Sequence, residues 1–324
     1  MLKRMLSRKV LISTAALFAL LLLYLIPKDV NDSLQNKIPQ ELEYVNKEVS
    51  TATIYLLNKN GLLGKTSVVI SNAATKKVEQ KAKELIEVLI KEGNGEDKIP
   101  NGFQSFLPSE TKILSIKYSD GVIKLNLSKE VLDIAQELEE KMIETIVYTL
   151  TSIEEIKDII LYVEGDVLDK LPKSKINLPS TLNRKFGINK EYDLNSYKDV
   201  NQATIYYVSK HNDHFYYVPV TKYVNDNREK IRIIIDELSS THLYNSNLMS
   251  FLNSNAKLLA FEQADDILQL EFNSYIFDNE IEKTILEEVI YTICLSVGDN
   301  YDVKEVVFEV NDEEIYKTVL KTIE

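Results

Sequence analysis

Cysteine, histidine, glycine and proline are all scarce in this sequence. Among 324 residues there are one cysteine, Cys294, and three histidines. A single cysteine cannot form an intrachain disulfide, and no zinc site of several cysteines can be built. With nine glycines and seven prolines, the composition is neither collagen-like nor that of a low-complexity disordered chain. A globular protein with its own hydrophobic cores is expected.

Positive charge is also in short supply. The chain has 38 lysines and arginines against 50 aspartates and glutamates, a formal net charge of −12. A nucleic-acid-binding protein needs a basic surface to neutralise phosphates, so this composition argues against that class. The length favours about two domains.

One strongly apolar stretch lies near the amino terminus. Residues 10–26 are free of charge, and four lysines and arginines precede them. This pattern predicts a single membrane-spanning helix with the amino terminus in the cytoplasm and the bulk of the chain on the extracytoplasmic side. The competing interpretation is a cleaved secretory signal, but no A-x-A-like site follows the run, and Cys294 is too distant to form a lipobox. We therefore expect a retained signal-anchor in residues 1–30 and a polar stalk in residues 31–50.

The rest of the sequence repeats itself. Five segments recur in the same order at offsets of 151, 145, 145, 143 and 147 residues. The pairs are 52–55 with 203–206, 105–114 with 250–259, 123–127 with 268–272, 146–150 with 289–293, and 158–163 with 305–310. This order predicts a tandem duplication. We place the first copy at residues 51–166 and the second at 202–312, with a linker at 167–201 and a short helix within 313–324.

Each copy alternates between strand and helix patterns. In the first copy Ile123, Leu125 and Leu127 alternate with polar residues, and Asp120-Gly121 before them is a strong hairpin signal. Apolar residues at helical spacing mark two helices per copy: Val78, Ala82, Leu85, Ile86 and Leu89; Leu138, Met142, Ile146 and Leu150; Ile231, Ile234, Ile235 and Leu238; Ile281, Ile285, Val289 and Ile293. The order β-β-α-β-β-α-β predicts a mixed α+β domain with two helices packed on one face of a mixed sheet.

Several of these segments resemble a known domain. Residues 53–56 (TIYL), 106–114 (FLPSETKIL), 120–128 (DGVIKLNLS) and 148–150 (YTL) are similar to the GerMN domain of the GerM sporulation and spore-germination family. The second copy matches more loosely. It has Asn253 where the first copy has proline, and Asp265-Asp266 where the first has Asp-Gly.

The resemblance implies a non-enzymatic assembly protein with a fold similar to the ring-building motif of secretion-system ring proteins. It implies a role in the channel-like complex that links mother cell and forespore, with other envelope proteins as partners and self-association into rings as one mode of assembly. The chain would then lie in the mother-cell membrane and face the intermembrane space. GerM-like proteins are often lipoproteins, whereas this chain has an apolar run and no lipobox cysteine.

No group of residues predicts catalysis, a cofactor site or a metal site. His211 and His214 have H-x-x-H spacing, but they flank a predicted hairpin tip and lack the third or fourth ligand of a zinc site. His242 stands alone in a polar loop. Gly93-Asn94-Gly95 follows a helix, whereas a phosphate-binding loop opens one. Cys294 lies on the apolar stripe of a predicted helix, which favours a buried, unreactive thiol.

The first hairpin of the second copy is unusually aromatic. Two interpretations remain open for this group: core packing by amphipathic tyrosines, or a protein-facing patch. The residues are Tyr206, Tyr207, Phe215, Tyr216 and Tyr217. The leading functional hypothesis is an interaction module of a sporulation envelope complex. The alternatives are an envelope protein that binds peptidoglycan or another polysaccharide, and a cell-wall hydrolase that uses scattered carboxylates.

Overall fold

Strands and helices alternate along both copies of the repeated unit. The computed structural model describes residues 50–71, 76–240 and 247–320. The first copy and the connecting segment contain β1 (Ser50–Asn58), β2 (Leu63–Ile70), α1 (Val78–Leu89), β3 (Phe103–Gln104), β4 (Ile113–Ser119), β5 (Val122–Leu127), α2 (Glu139–Leu150), β6 (Asp158–Val163), β7 (Asp166–Val167) and β8 (Glu191–Asp193). The second copy contains β9 (Asn201–His211), β10 (His214–Val224), α3 (Lys230–Ser239), β11 (Leu258–Ala264), β12 (Ile267–Phe272), α4 (Glu287–Asn300), β13 (Glu305–Val310) and β14 (Glu313–Val319).

Some of the predictions concern residues outside these described ranges. The predicted anchor at residues 10–26, nearly all of the stalk, and His242 lie outside the described residues. Within the described ranges, none of the helices combines the length and the apolar character needed to cross a membrane.

The second half of each copy forms a four-stranded sheet with a crossover helix. The strand orders are β4-β5-β6-β7 and β11-β12-β13-β14. Helix α2 connects the parallel strands β5 and β6, and α4 connects β12 and β13 in the same way. Asp120 and Gly121 turn the chain between β4 and β5 with φ values of 51° and 81°, as a two-residue hairpin requires. Ile123, Leu125 and Leu127 are fully buried, which confirms the predicted buried face.

The prediction of one mixed sheet per copy is wrong. The opening hairpins leave their own copies and join each other in a six-stranded sheet of order β3-β1-β2-β10-β8, with β9 paired to β10. Strands β2 and β10 meet antiparallel at Lys65 and Tyr217. One core joins the first hairpin, both helices and the four-stranded sheet of the first copy, and nine consecutive residues of α2, from Met142 to Leu150, are buried. A helix on one face of a single sheet would keep a polar stripe, so α2 lies between two sheets.

Two helix predictions in the second copy are also wrong. Residues 313–319 form strand β14, which pairs with β13 and covers what would otherwise be an open sheet edge. Helix α4 begins only at Glu287, and Ile281, taken as part of its apolar stripe, is 94% exposed. The linker is packed as predicted, because Leu171 and Leu178 are buried.

Candidate interaction surfaces and the domain interface

The aromatic hairpin divides into a buried part and an accessible part. Tyr206 and Tyr207 are each only 1% exposed, so their proposed place in a partner-facing patch is wrong, and core packing explains them. Phe215 is 45% exposed, and Tyr216 and Tyr217 are partly exposed. For these three residues a protein-facing role stays a prediction.

Tyr206 lies at the junction of the two copies. Its repeat equivalent in the first copy is Tyr55, and the two hydroxyls are 2.8 Å apart. The Tyr206 hydroxyl donates to Oδ2 of Asp299 at 2.9 Å, so the Tyr55 hydroxyl is the donor of the first bond. Burial, with the nearby Asp299 charge, raises the pKa of Tyr206 well above its ordinary value. The two tyrosine hydroxyls and the Asp299 carboxylate therefore form a hydrogen-bonded chain across the interface.

Arg184 of the connecting segment completes this interface. Its guanidinium forms an ion pair with Asp299 and lies 4.9 Å from the ring centroid of Tyr148. Its Nε donates to Oγ1 of Thr151 at 3.0 Å. Burial disfavours the charged guanidinium, but the Asp299 carboxylate raises the pKa of Arg184 well above its usual range. One side chain therefore contacts the helix of the first copy and the helix of the second.

Asn189, also in the connecting segment, joins the two hairpins. Its Oδ1 accepts from the Leu63 N–H at 2.9 Å, and its Nδ2 donates to the carbonyls of Leu63 at 2.8 Å and Pro219 at 2.7 Å. Leu63 lies in β2 and Pro219 in β10, the two strands that meet across the copies. The carboxamide thus adds hydrogen bonds where only one residue pair links these strands.

A buried carboxyl lies behind Asn189. Oε2 of Glu144 accepts the Asn189 backbone N–H at 3.0 Å, and Glu144 is 2% exposed. Burial raises the pKa of Glu144 to about 7, partly offset by the Asn189 hydrogen bond and by the charges of Lys190 and Lys141, while Glu140 adds to the rise. The folded protein therefore holds a proton here at pH values where the unfolded chain does not.

This proton predicts a pH-dependent stability. Between about pH 4.5 and pH 7 the native state binds one more proton than the unfolded state, so the free energy of unfolding falls by up to about 3 kcal/mol as the pH rises. Glu144→Gln keeps an acceptor oxygen and removes the titration. We expect this variant to match the parent near pH 4.5 and to exceed its stability at pH 8 in urea unfolding.

Glu137→Gln is the matched control, because Glu137 is an exposed glutamate two residues before helix α2, which contains Glu144. Its difference from the parent should be the same at both pH values. If Glu144→Gln also shows a constant difference across this range, Glu144 does not carry the buried proton.

Equivalent edge strands of the two copies expose the same residue type. Strands β4 and β11 each pair with one neighbour, and both ladders are interrupted by a bulge that contains Leu114 in one copy and Leu259 in the other. These leucines are 47% and 52% exposed. The repeat offset of 145 makes them equivalent positions, and both lie on the terminal strand of a four-stranded sheet.

Two of the histidines singled out from the sequence lie at a hairpin tip, and the cysteine lies in the core. His211 and His214 flank the tip of the β9–β10 hairpin, as predicted. Gly102, with a φ of 96°, lies against His211, since a Cβ there would be 2.5 Å from the imidazole. Cys294 is fully buried, and burial raises the pKa of its thiol. In the described part of the chain, no three His, Cys, Asp or Glu side chains are grouped as metal ligands.

Known proteins share this arrangement of two similar domains. The family profile described as "Germane: Sporulation and spore germination" matches residues 53–169 and 204–316. The chain belongs to this sporulation and spore germination family. It is 32% identical over 263 residues to the spore germination protein GerM of Bacillus subtilis strain 168, covering 80% of this chain and 70% of that protein. The solved tandem GerMN domains of Bacillus subtilis GerM superpose with a TM-score of 0.73 at 30% identity, over 82% of this chain and 92% of that one.

Three interface residues of this family member were not predicted from its sequence. These residues, Arg184, Asn189 and Asp299, lie outside the repeated segments. The sequence does single out Arg184, because it is the only arginine between Arg8 and Arg228 in a lysine-rich chain. Arginine is favoured over lysine in buried ion pairs and in contacts with aromatic rings.

Proposed function

We propose that this family member is a non-catalytic, membrane-anchored envelope protein that acts as an assembly component of a channel-like complex between mother cell and forespore. Family membership supports the sporulation role. The observation that carries the assembly role is the shared six-stranded sheet, which fixes the two GerMN-like domains relative to each other. A rigid unit of this kind can hold two binding edges in a constant geometry.

The same proposal includes the cellular location of the protein. The uncharged run at residues 10–26 spans the mother-cell membrane, with the basic amino terminus in the cytoplasm. The stalk and the domains, at residues 51–166 and 202–312, face the intermembrane space. Partners are other envelope proteins, or further copies of this chain arranged in a ring.

The edge strands β4 and β11 are the proposed contact sites. Each pairs with one strand only among the described residues, and each exposes a leucine at its bulge. Backbone pairing at a sheet edge provides affinity, and apolar side chains beside it add specificity. The partly exposed aromatic residues Phe215, Tyr216 and Tyr217 are the second proposed contact.

Lysines at the two edges test this proposal. The double variant Leu114→Lys/Leu259→Lys adds charge to each edge, which opposes strand pairing without removing a core side chain. In a pull-down of the full chain from sporulating cells, we expect the recovered envelope proteins to fall about tenfold or more, because each lost contact of about 1.4 kcal/mol changes binding tenfold. Spore formation should fall with it.

The control is Val200→Lys/Ile281→Lys, which places the same charges at exposed apolar positions outside the strands. It should leave partner recovery and spore yield unchanged. Equal losses in both variants would contradict the edge contacts. Retention of both variants on purified peptidoglycan, with no protein partner recovered, would instead favour the polysaccharide-binding alternative.

A further inference from the structure

A polar cleft lies where the first copy, the connecting segment and the second copy meet. Its volume is about 400 Å³, within the range of small-molecule sites. Lys157 comes from the first copy, Lys185 from the connecting segment, and Lys230 begins helix α3 of the second copy. Arg184 and Asp299 form one side of the cleft.

The cleft has an excess of positive charge. Arg184 is neutralised by Asp299, but the ammonium groups of Lys157, Lys185 and Lys230 make no ion pair with any described residue. Three such lysines around one cleft are unexpected in a chain of net charge −12. Walls of one charge sign focus the field and attract an oppositely charged ligand.

The carboxylates of the cleft do not balance these lysines. Asp299 is already bound by Arg184 and by the Tyr206 hydroxyl. Asp158 accepts a hydrogen bond from Nδ2 of Asn183 at 2.9 Å. Among the described residues, one cleft carboxylate without an ion pair, Asp158, therefore faces three ammonium groups that also lack one.

Two of these lysines, Lys185 and Lys230, lie close enough for one charge to affect the other. Lys230 is partly buried, and burial lowers its pKa, with the positive charge of Lys185 lowering it further. Two ammonium groups that repel each other in a partly desolvated place are an unfavourable arrangement for the empty protein. A bound anion would remove this repulsion.

We propose that this cleft binds a phosphate ester, held by Lys157, Lys185 and Lys230. Lysine is a common point-charge ligand of phosphate, and the volume leaves room for a glycerol or sugar unit beside the phosphate. The ligand is either a free phosphorylated small molecule or one unit of a glycerol phosphate polymer. This binding site is independent of the assembly role, because the edge strands β4 and β11 are not among its lining residues.

Isothermal titration of the full chain in detergent solution tests the site with two probes, inorganic pyrophosphate and a glycerol phosphate oligomer. The variant Lys185→Gln/Lys230→Gln should weaken binding about tenfold or more, since two charge-assisted contacts are lost. Lys170→Gln/Lys198→Gln removes the same charge from exposed lysines elsewhere in the connecting segment, and it should bind like the parent. Equal urea midpoints show that both variants fold.

The two probes distinguish the sources of the phosphate. Binding of pyrophosphate with no gain for the oligomer identifies a free phosphorylated ligand, and tighter binding of the oligomer identifies the polymer. With either ligand, the loss of binding must occur in Lys185→Gln/Lys230→Gln and not in Lys170→Gln/Lys198→Gln. The proposal is overturned if neither probe binds at millimolar concentration, or if both variants weaken binding to the same extent.

Discussion

Arg184→Met is expected to lower the free energy of unfolding by about 2–3 kcal/mol, because it leaves the mostly buried Asp299 carboxylate without its ionic partner. The Arg184 side chain is 25% exposed, so the loss is smaller than for a fully buried pair. The Asp299 side chain is 6% exposed and would keep only the hydrogen bond from Tyr206. The contacts of the guanidinium with Tyr148 and Thr151 would also be lost. Methionine has a similar length, so the cavity left behind is small. Urea unfolding monitored by circular dichroism measures the loss.

Arg228→Met is the matched control for this experiment. Arg228 also forms ion pairs, with Asp226 and Asp236, but its side chain is 52% exposed. Exposed pairs of this kind contribute about 0–1 kcal/mol. If the two arginine variants lose similar stability, the Arg184–Asp299 pair does not hold the copies together.

Asn189→Ala is expected to cost about 3–5 kcal/mol, since three buried backbone groups lose their partner and alanine disfavours a left-handed backbone. The groups are the N–H and carbonyl of Leu63 and the carbonyl of Pro219. Asn189 has a φ of 45° and is 5% exposed. Hydrogen exchange should show faster opening at the β2–β10 junction than in the four-stranded sheets.

Asn225→Ala gives the comparison at an exposed site. The Asn225 side chain makes four hydrogen bonds, to backbone groups of Asn195, Ser196 and Lys198, but water can replace them. A loss of about 1 kcal/mol or less is expected there. Protection at β2 and β10 that is unchanged in Asn189→Ala would rule out this residue as the link between the hairpins.

Local sequence patterns determined most of the helices and strands and their order. The alternation of Ile123, Leu125 and Leu127 specified a half-buried strand, and Asp120-Gly121 specified its turn. The five repeated segments indicated two similar domains, and four of the motifs identified the family. These features depend on neighbours close in the chain, so a single sequence contains them.

The tertiary structure alone decided which strands pair and which side chains meet. The two hairpins share a sheet, and residues 313–319 form a strand although their sequence allows a helix, because an open edge of β13 is available to them. Arg184 and Asp299 are 115 residues apart, and Asn189 reaches Leu63 across 126. Contacts between residues so far apart in the chain leave no periodic pattern in the sequence. A scarcity of cysteine and histidine could exclude classes of site, but only packing across the two copies could place three lysines around one cleft.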